Sequence, residues 1–127
     1  AMVKPPQTAS AEGFSSENHI RDFELTIDAT GESAPDTLEV LIADYASCYV
    51  PALRVAAEQR DAGDLGEVSI DVTGELNDDD KLDGITFDVD TDADLDADTA
   101  DAIVERANEL CKVHDALKSS LYADVDL

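Results

Sequence analysis

The sequence predicts an α+β fold in a single domain spanning residues 1–127, on three observations. The chain has only 127 residues. It holds four stretches in which apolar and polar residues alternate, and two longer stretches whose apolar residues recur at helical spacing. A chain of this length supports one core. That core is built mainly from Ala, Val, Leu and Ile, because aromatics make up 5% of the residues and Trp is absent. Domains this small bury a modest share of their surface, which favours dimerisation.

The elements follow in order. Residues 1–18 are small and polar, with Pro5-Pro6 near the front, and predict a loose arm or an edge strand. Phe23, Leu25 and Ile27 alternate with Glu24, Thr26 and Asp28, the pattern of a half-buried strand. Asp36, followed three residues later by Glu39, forms a capping box. The helix it opens carries an apolar stripe of Leu38, Leu41, Ile42, Tyr45, Tyr49, Ala52, Leu53 and Ala56. Pro51 lies inside that stripe and is expected to kink or split the helix, since it removes a hydrogen bond. Val68, Ile70 and Val72, then Ile85, Phe87 and Val89, predict two strands joined as a hairpin by the turn residues between 77 and 84. A second helix, capped near Asp96 or Asp98, bears Ala100, Ile103, Val104, Ala107, Leu110 and Cys111 on one face. Leu121, Ala123, Val125 and Leu127 predict a closing strand.

The charge balance narrows the function. There are 31 acidic residues against 8 basic ones, a net charge of −23. Such a surface repels phosphate backbones and anionic bilayers, which argues against nucleic-acid and membrane partners. The acids are spread along the chain and interleaved with apolar residues, unlike a disordered acidic tail. This pattern fits a folded protein of a salt-adapted cell, where salt screens the self-repulsion. No run of 18 apolar residues and no charged-then-apolar leader is present in the sequence, so a cytoplasmic protein is expected. In that compartment Cys48 and Cys111 are either inert buried thiols or a working redox pair.

Both cysteines fall on or beside the helical stripes, so packing the two helices together would bring the thiols close. Small core hydrophobes are the alternative reading of the same periodicity. His114, three residues after Cys111, could be a base or metal ligand; the simpler reading is a helix-end residue satisfying carbonyls. A four-ligand zinc site would need both cysteines and both histidines, and His19 and Cys48 lack the matching spacing, so no metal is expected. The alternating aspartates from Asp88 to Asp98 resemble a calcium loop only superficially. Counting from Asp90, Leu95 stands where the tight turn needs Gly and Asp101 where Glu is needed.

The run from Glu39 to Leu53, EVLIADYASCYVPAL, resembles the helix that carries the reactive cysteine in the OsmC/Ohr family. The run from Ala107 to Leu117, ANELCKVHDAL, resembles that family's second cysteine motif, with Lys112 in place of the usual Pro. The resemblance covers roughly residues 20–127. It implies an interlocked homodimer with two central helices wrapped by antiparallel strands. It also implies reduction of organic hydroperoxides without a bound cofactor. Cys48 would be the peroxidatic thiol and Cys111 the resolving one, with an external lipoyl or thioredoxin-like dithiol as reductant. Arg21 stands where similar sequences place the activating Arg, and Glu39 is the candidate for the acid that orients it. Their plainer readings are a surface Arg paired with Asp22 or Glu24, and the capping box. The family's peroxidases place that acid one residue earlier, where this chain has Leu38. A substrate pocket lined by Leu38, Tyr45 and Tyr49 is expected. A non-catalytic relative binding a small apolar ligand in the same cleft is the alternative.

Overall fold

A computed structural model describes residues 7–127; Pro5-Pro6 of the expected arm lie outside the described residues. The chain divides into two compact units, 7–41 and Ile42–Leu127.

The first unit is an antiparallel meander of β1 (Gln7–Ala9), β2 (Ser15–Ile20) and β3 (Phe23–Asp28), in that order across the sheet. Residues 7–18 were expected as an arm or edge strand. β1 is the edge, whereas Ser15–Asn18 belong to the central strand. SSENHI has no apolar alternation; it is drawn into the sheet by pairing on both sides. The Asn18 amide extends that pairing by donating to the Leu25 carbonyl, and its Oδ1 accepts from Thr8 Oγ1. β3 ends in a buried staple. The Asp28 carboxylate accepts the N–H and hydroxyl groups of Thr30 and Ser33 at 2.8–3.0 Å, closing the loop that leads to the first helix.

That helix, α1 (Thr37–Gln59), begins as the capping box requires, with Glu39 N–H on Asp36 Oδ1 (2.8 Å) and Asp36 N–H on Glu39 Oε1 (2.9 Å). It continues through Pro51 as a single element, so of the expected kink or split the split does not occur. An interior Pro costs about 3 kcal/mol. Pro51 faces outward, while Tyr45, Tyr49, Ala52, Leu53, Ala56 and Ala57 are buried on either side of it. Burial of one or two such side chains offsets the lost bond. By length and composition α1 is long and apolar enough to cross a membrane, although polar residues interrupt its apolar run. Its apolar stripe instead forms the spine of the core.

In the second unit, β4 (Val68–Leu76) and β5 (Leu82–Thr91) form the expected hairpin. Ile85, Phe87 and Val89 point into the core, and Thr86, Asp88 and Asp90 point to solvent. Asp96 caps α2 (Ala97–Leu110), its Oδ1 accepting the Thr99 N–H at 2.7 Å. A short helix α3 (Lys112–Ala116) and a 3₁₀ turn (Ser119–Leu121) follow, neither foreseen in the sequence. β6 (Asp124–Asp126) pairs with β5 in parallel, a departure from the all-antiparallel expectation. The helical crossover from β5 returns the chain in the same direction, which a hairpin cannot do. α1 and α2 share the core and are tied by Tyr49 Oη to Asn108 Oδ1 (2.8 Å) and Arg106 Nε to Gln59 Oε1 (2.7 Å).

Candidate active site

Cys48 lies on α1 beside the buried stripe and is half-buried. It opens onto a groove of about 250 Å³ lined by Cys48, Pro51, Ala52, Val55, Leu110 and Lys112. Positions 48, 51, 52 and 55 recur at i, i+3, i+4 and i+7, so four of the six wall residues lie on one row of α1. The walls are apolar apart from the thiol and the single cation of Lys112.

Cys111 is buried at the junction of two helices. Its N–H closes α2 on the Ala107 carbonyl (2.9 Å), and its sulfur caps α3 by accepting the His114 N–H (3.4 Å). The thiol thus takes the place usually held by Ser or Asp at a helix start, which is why the chain can break from α2 and restart without Gly or Pro.

The two thiols are close enough to shift each other's hold on their protons, Cys111 lowering the Cys48 pKa and Cys48 raising that of Cys111. Burial raises the Cys48 pKa. The Val113 N–H, the Cys111 thiol and the Lys112 N–H outweigh that cost and leave Cys48 more acidic than an ordinary thiol, with Asp44 opposing weakly. Cys111 moves the other way, to about 11, because burial dominates the His114 N–H and Cys48 adds to the rise. The two thiols are therefore displaced in opposite directions, Cys48 releasing its proton more readily than an ordinary thiol and Cys111 less readily.

Behind them lies a buried polar group. Tyr45 Oη is 2.6 Å from His114 Nδ1 and accepts the Ala123 N–H at 3.0 Å. The Tyr122 ring stacks on the His114 ring, 3.9 Å between centroids at 23°. Tyr45 and Tyr49 are fully buried against Phe87 in T-shaped contacts, so neither lines an open pocket as expected. They lie on the core side of α1, whereas the groove row lies beside it. Leu38 is half-buried in the first turn of α1 and is not one of the groove's lining residues. His114, expected at a helix end capping carbonyls, is instead buried with its ring occupied, and burial lowers its pKa.

Arg21 sits at the turn between β2 and β3 with a φ of 56°. Its guanidinium lies over the Phe23 ring, 5.1 Å from the centroid. Glu39 is engaged with Asp36 in the capping box. Among the described residues neither Arg21 nor Glu39 forms an ion pair. The structure thus brings Cys48 and Cys111 together and leaves the Arg21–Glu39 pair unmade. Among the described residues no group of three or more His, Cys, Asp or Glu is arranged to hold a metal ion. In the aspartate run, Asp92 accepts the Glu67 N–H and Asp96 caps α2, so those carboxylates serve the backbone.

Comparison with known proteins follows the same line. A family model described as OsmC-like protein matches residues 11–125. An uncharacterized protein of the halophilic archaeon Haloferax volcanii is 45% identical over 118 residues, covering 93% of this chain and 89% of that protein. Among solved structures, an OsmC-like protein from Mycoplasma pneumoniae aligns with a TM-score of 0.81 at 17% identity, over 96% of this chain and 93% of that one. The organic hydroperoxide resistance protein OhrB of Bacillus subtilis aligns with a TM-score of 0.72 at 22% identity, over 99% of both chains. At these identities the two structures are similar in fold.

Proposed function

The chain belongs to the OsmC-like family, and on that premise we propose that it is a cytoplasmic, thiol-dependent peroxidase for organic hydroperoxides, acting as a single domain in a homodimer. The observation that carries this reading is the asymmetry of the thiol pair. Cys48 is acidified and open to an apolar groove, and Cys111 is buried and protonated beside it.

The chemistry balances on these two residues. The Cys48 thiolate attacks the terminal oxygen of R–O–O–H. The O–O bond breaks, its electron pair leaves with the alkoxide, and the alkoxide takes a proton to become ROH. Cys48 is left as a sulfenic acid. Cys111, losing its proton, attacks the sulfenic sulfur, and water departs as the disulfide forms. An external dithiol then reduces that disulfide and becomes a disulfide itself. The apolar walls formed by Pro51, Ala52, Val55 and Leu110 favour an alkyl hydroperoxide over hydrogen peroxide. In this reading Arg21 remains the candidate activator and Glu39 its orienter, a pairing that would have to form on substrate binding or dimerisation.

The homodimer is supported by an apolar surface on the first unit, where Phe14, Ile20, Phe23 and Leu25 are exposed. A second reading, a non-catalytic protein binding a small apolar ligand in the groove, is favoured by the engagement of Glu39 in helix capping. The test is turnover of cumene hydroperoxide with dihydrolipoamide in concentrated KCl, wild type beside Cys48→Ser and Cys111→Ser. The peroxidase reading expects loss of turnover in Cys48→Ser and a sulfenic acid trapped by dimedone in Cys111→Ser. A folded wild type without turnover, whose Cys48 alkylates no faster than a free thiol, overturns it in favour of the binding protein.

A further inference from the structure

Tyr45 and His114 take no part in the peroxide step, yet among the described residues theirs is the one hydrogen bond between side chains that joins α1 to α3. α3 has five residues, too few to hold a helix by itself. His114 is its one fully buried residue and Val113 packs partly against the core, so the hold on α3 falls chiefly on His114. The ring is gripped from two directions. Tyr45 Oη bonds Nδ1 at 2.6 Å, and the Tyr122 ring covers a face at 3.9 Å. The Tyr45 oxygen also accepts the Ala123 N–H, which ties the same hydroxyl to the chain beyond α3, while the imidazole tautomer sets which partner donates in the bond to Nδ1.

Tyr45 also stands three residues before Cys48, one turn away on the same helix. The segment gripped by Tyr45 carries the Lys112 and Val113 N–H groups that lie toward Cys48 and lower its pKa, and its His114 N–H donates to the Cys111 sulfur at 3.4 Å. We propose that Tyr45 and His114 are a positioning pair: their buried hydrogen bond pins residues 111–114 to α1 and so holds these N–H groups on the two sulfurs. This rests on the peroxidase reading only in taking Cys48 as the reactive thiol. Neither side chain touches the reacting sulfur; both act through the backbone of α3. The charged and titratable neighbours are Asp44 and Lys112 beside Cys48, with Asp115, Tyr122 and Cys111 around His114 and Tyr45.

The test is the pH profile of Cys48 alkylation by iodoacetamide, resolved by mass spectrometry in concentrated KCl, with deuterium exchange of the Lys112–His114 amides measured on the same proteins. The variants are Tyr45→Phe, His114→Leu and His114→Asn. Tyr45→Phe and His114→Leu are expected to move the Cys48 midpoint up by about one pH unit, roughly a tenfold loss of thiolate at neutral pH. The three amides should exchange about tenfold or more faster in the same two variants. His114→Asn keeps an acceptor where Nδ1 stood and should recover most of both effects. If His114→Leu does not fold, the near-isosteric Tyr45→Phe carries the test. An unchanged midpoint and unchanged exchange in folded Tyr45→Phe would overturn the proposal and leave the pair as core packing. Should wild-type Cys48 itself prove unreactive, the peroxidase reading falls, and amide exchange still decides whether the pair pins α3.

Discussion

β3 and β5 carry the same alternating pattern and end in opposite surroundings. In β5, Ile85, Phe87 and Val89 are 4%, 0% and 8% exposed, because β5 is the central strand of its sheet and both long helices contribute to the core beneath it. In β3, Phe23 and Leu25 are 63% and 40% exposed, and Phe14 and Ile20 nearby are also open. Alternation decides which side chains share a face of a strand. It says nothing about whether another element covers that face. Among the described residues of the first unit, with its three strands and one turn of α1, none belongs to the buried core cluster, and the homodimer proposed above would supply the cover that this face lacks.

The contrast can be broken from either side. Phe87→Ala, at the meeting point of the Tyr45 and Tyr49 rings, should destabilise the chain by about 3–5 kcal/mol in urea unfolding. A loss under 1 kcal/mol would mean the second unit is less well packed than its burial implies. The double change Phe14→Ser and Phe23→Ser should shift fold stability, measured on monomer at high dilution, by only about 0.5 kcal/mol per site. It should nevertheless weaken self-association by about 1.5–3 kcal/mol for each side chain that the dimer buries. Sedimentation equilibrium reads this directly, and a double variant as dimeric as wild type would remove the second copy as the cover of that face.

Acid should separate the two units as well. The folded pKa of His114 is depressed by burial, so the unfolded chain takes up a proton first. The stability His114 contributes is complete above its unfolded value of about 6.5 and declines as pH falls below it. Asp28 is likewise depressed, held below the usual carboxylate range by the Ser33 and Thr30 N–H groups and then by their hydroxyls. Its contribution persists to about pH 4, the unfolded carboxylate value, and is lost only below that. Urea midpoints against pH should therefore fall in two stages, with His114→Asn flattening the upper stage and Asp28→Asn the lower. The smallest effect is expected at Arg54→Ala. The ion pair with Asp64 spans 3.9 Å and is exposed, contributing about 0–1 kcal/mol that concentrated KCl should abolish, which leaves the hydrogen bond to the Gly66 carbonyl (2.8 Å) as the residual loss.

The elements written plainly in the sequence are those whose signal is local. The capping box at Asp36 and Glu39, the stripe through Tyr45 and Leu53, the β4–β5 hairpin and the cap at Asp96 all depend on residues a few positions apart. β2 was not legible as a central strand, because SSENHI owes its conformation to the two strands that flank it. α3 was hidden because a thiol performs the capping at Cys111. Both cysteines were found from their place on the stripes and from the family likeness. The groove row at Cys48, Pro51, Ala52 and Val55 is legible at helical spacing, but the size of Tyr45 and Tyr49 points to a pocket on their side of the helix, and burial makes them core.

By itself the sequence determined the α+β class, the acidic charge, the family and the positions of the two cysteines on the helical stripes, since periodicity, charge and motif are properties of the chain read in order. Only the tertiary structure decided which thiol is acidified, what lines the groove and why His114 is buried. Those depend on backbone N–H groups and aromatic rings brought together from positions far apart in the chain. A thiol's pKa follows from the donors and the burial around it, and no local pattern of residue types encodes them.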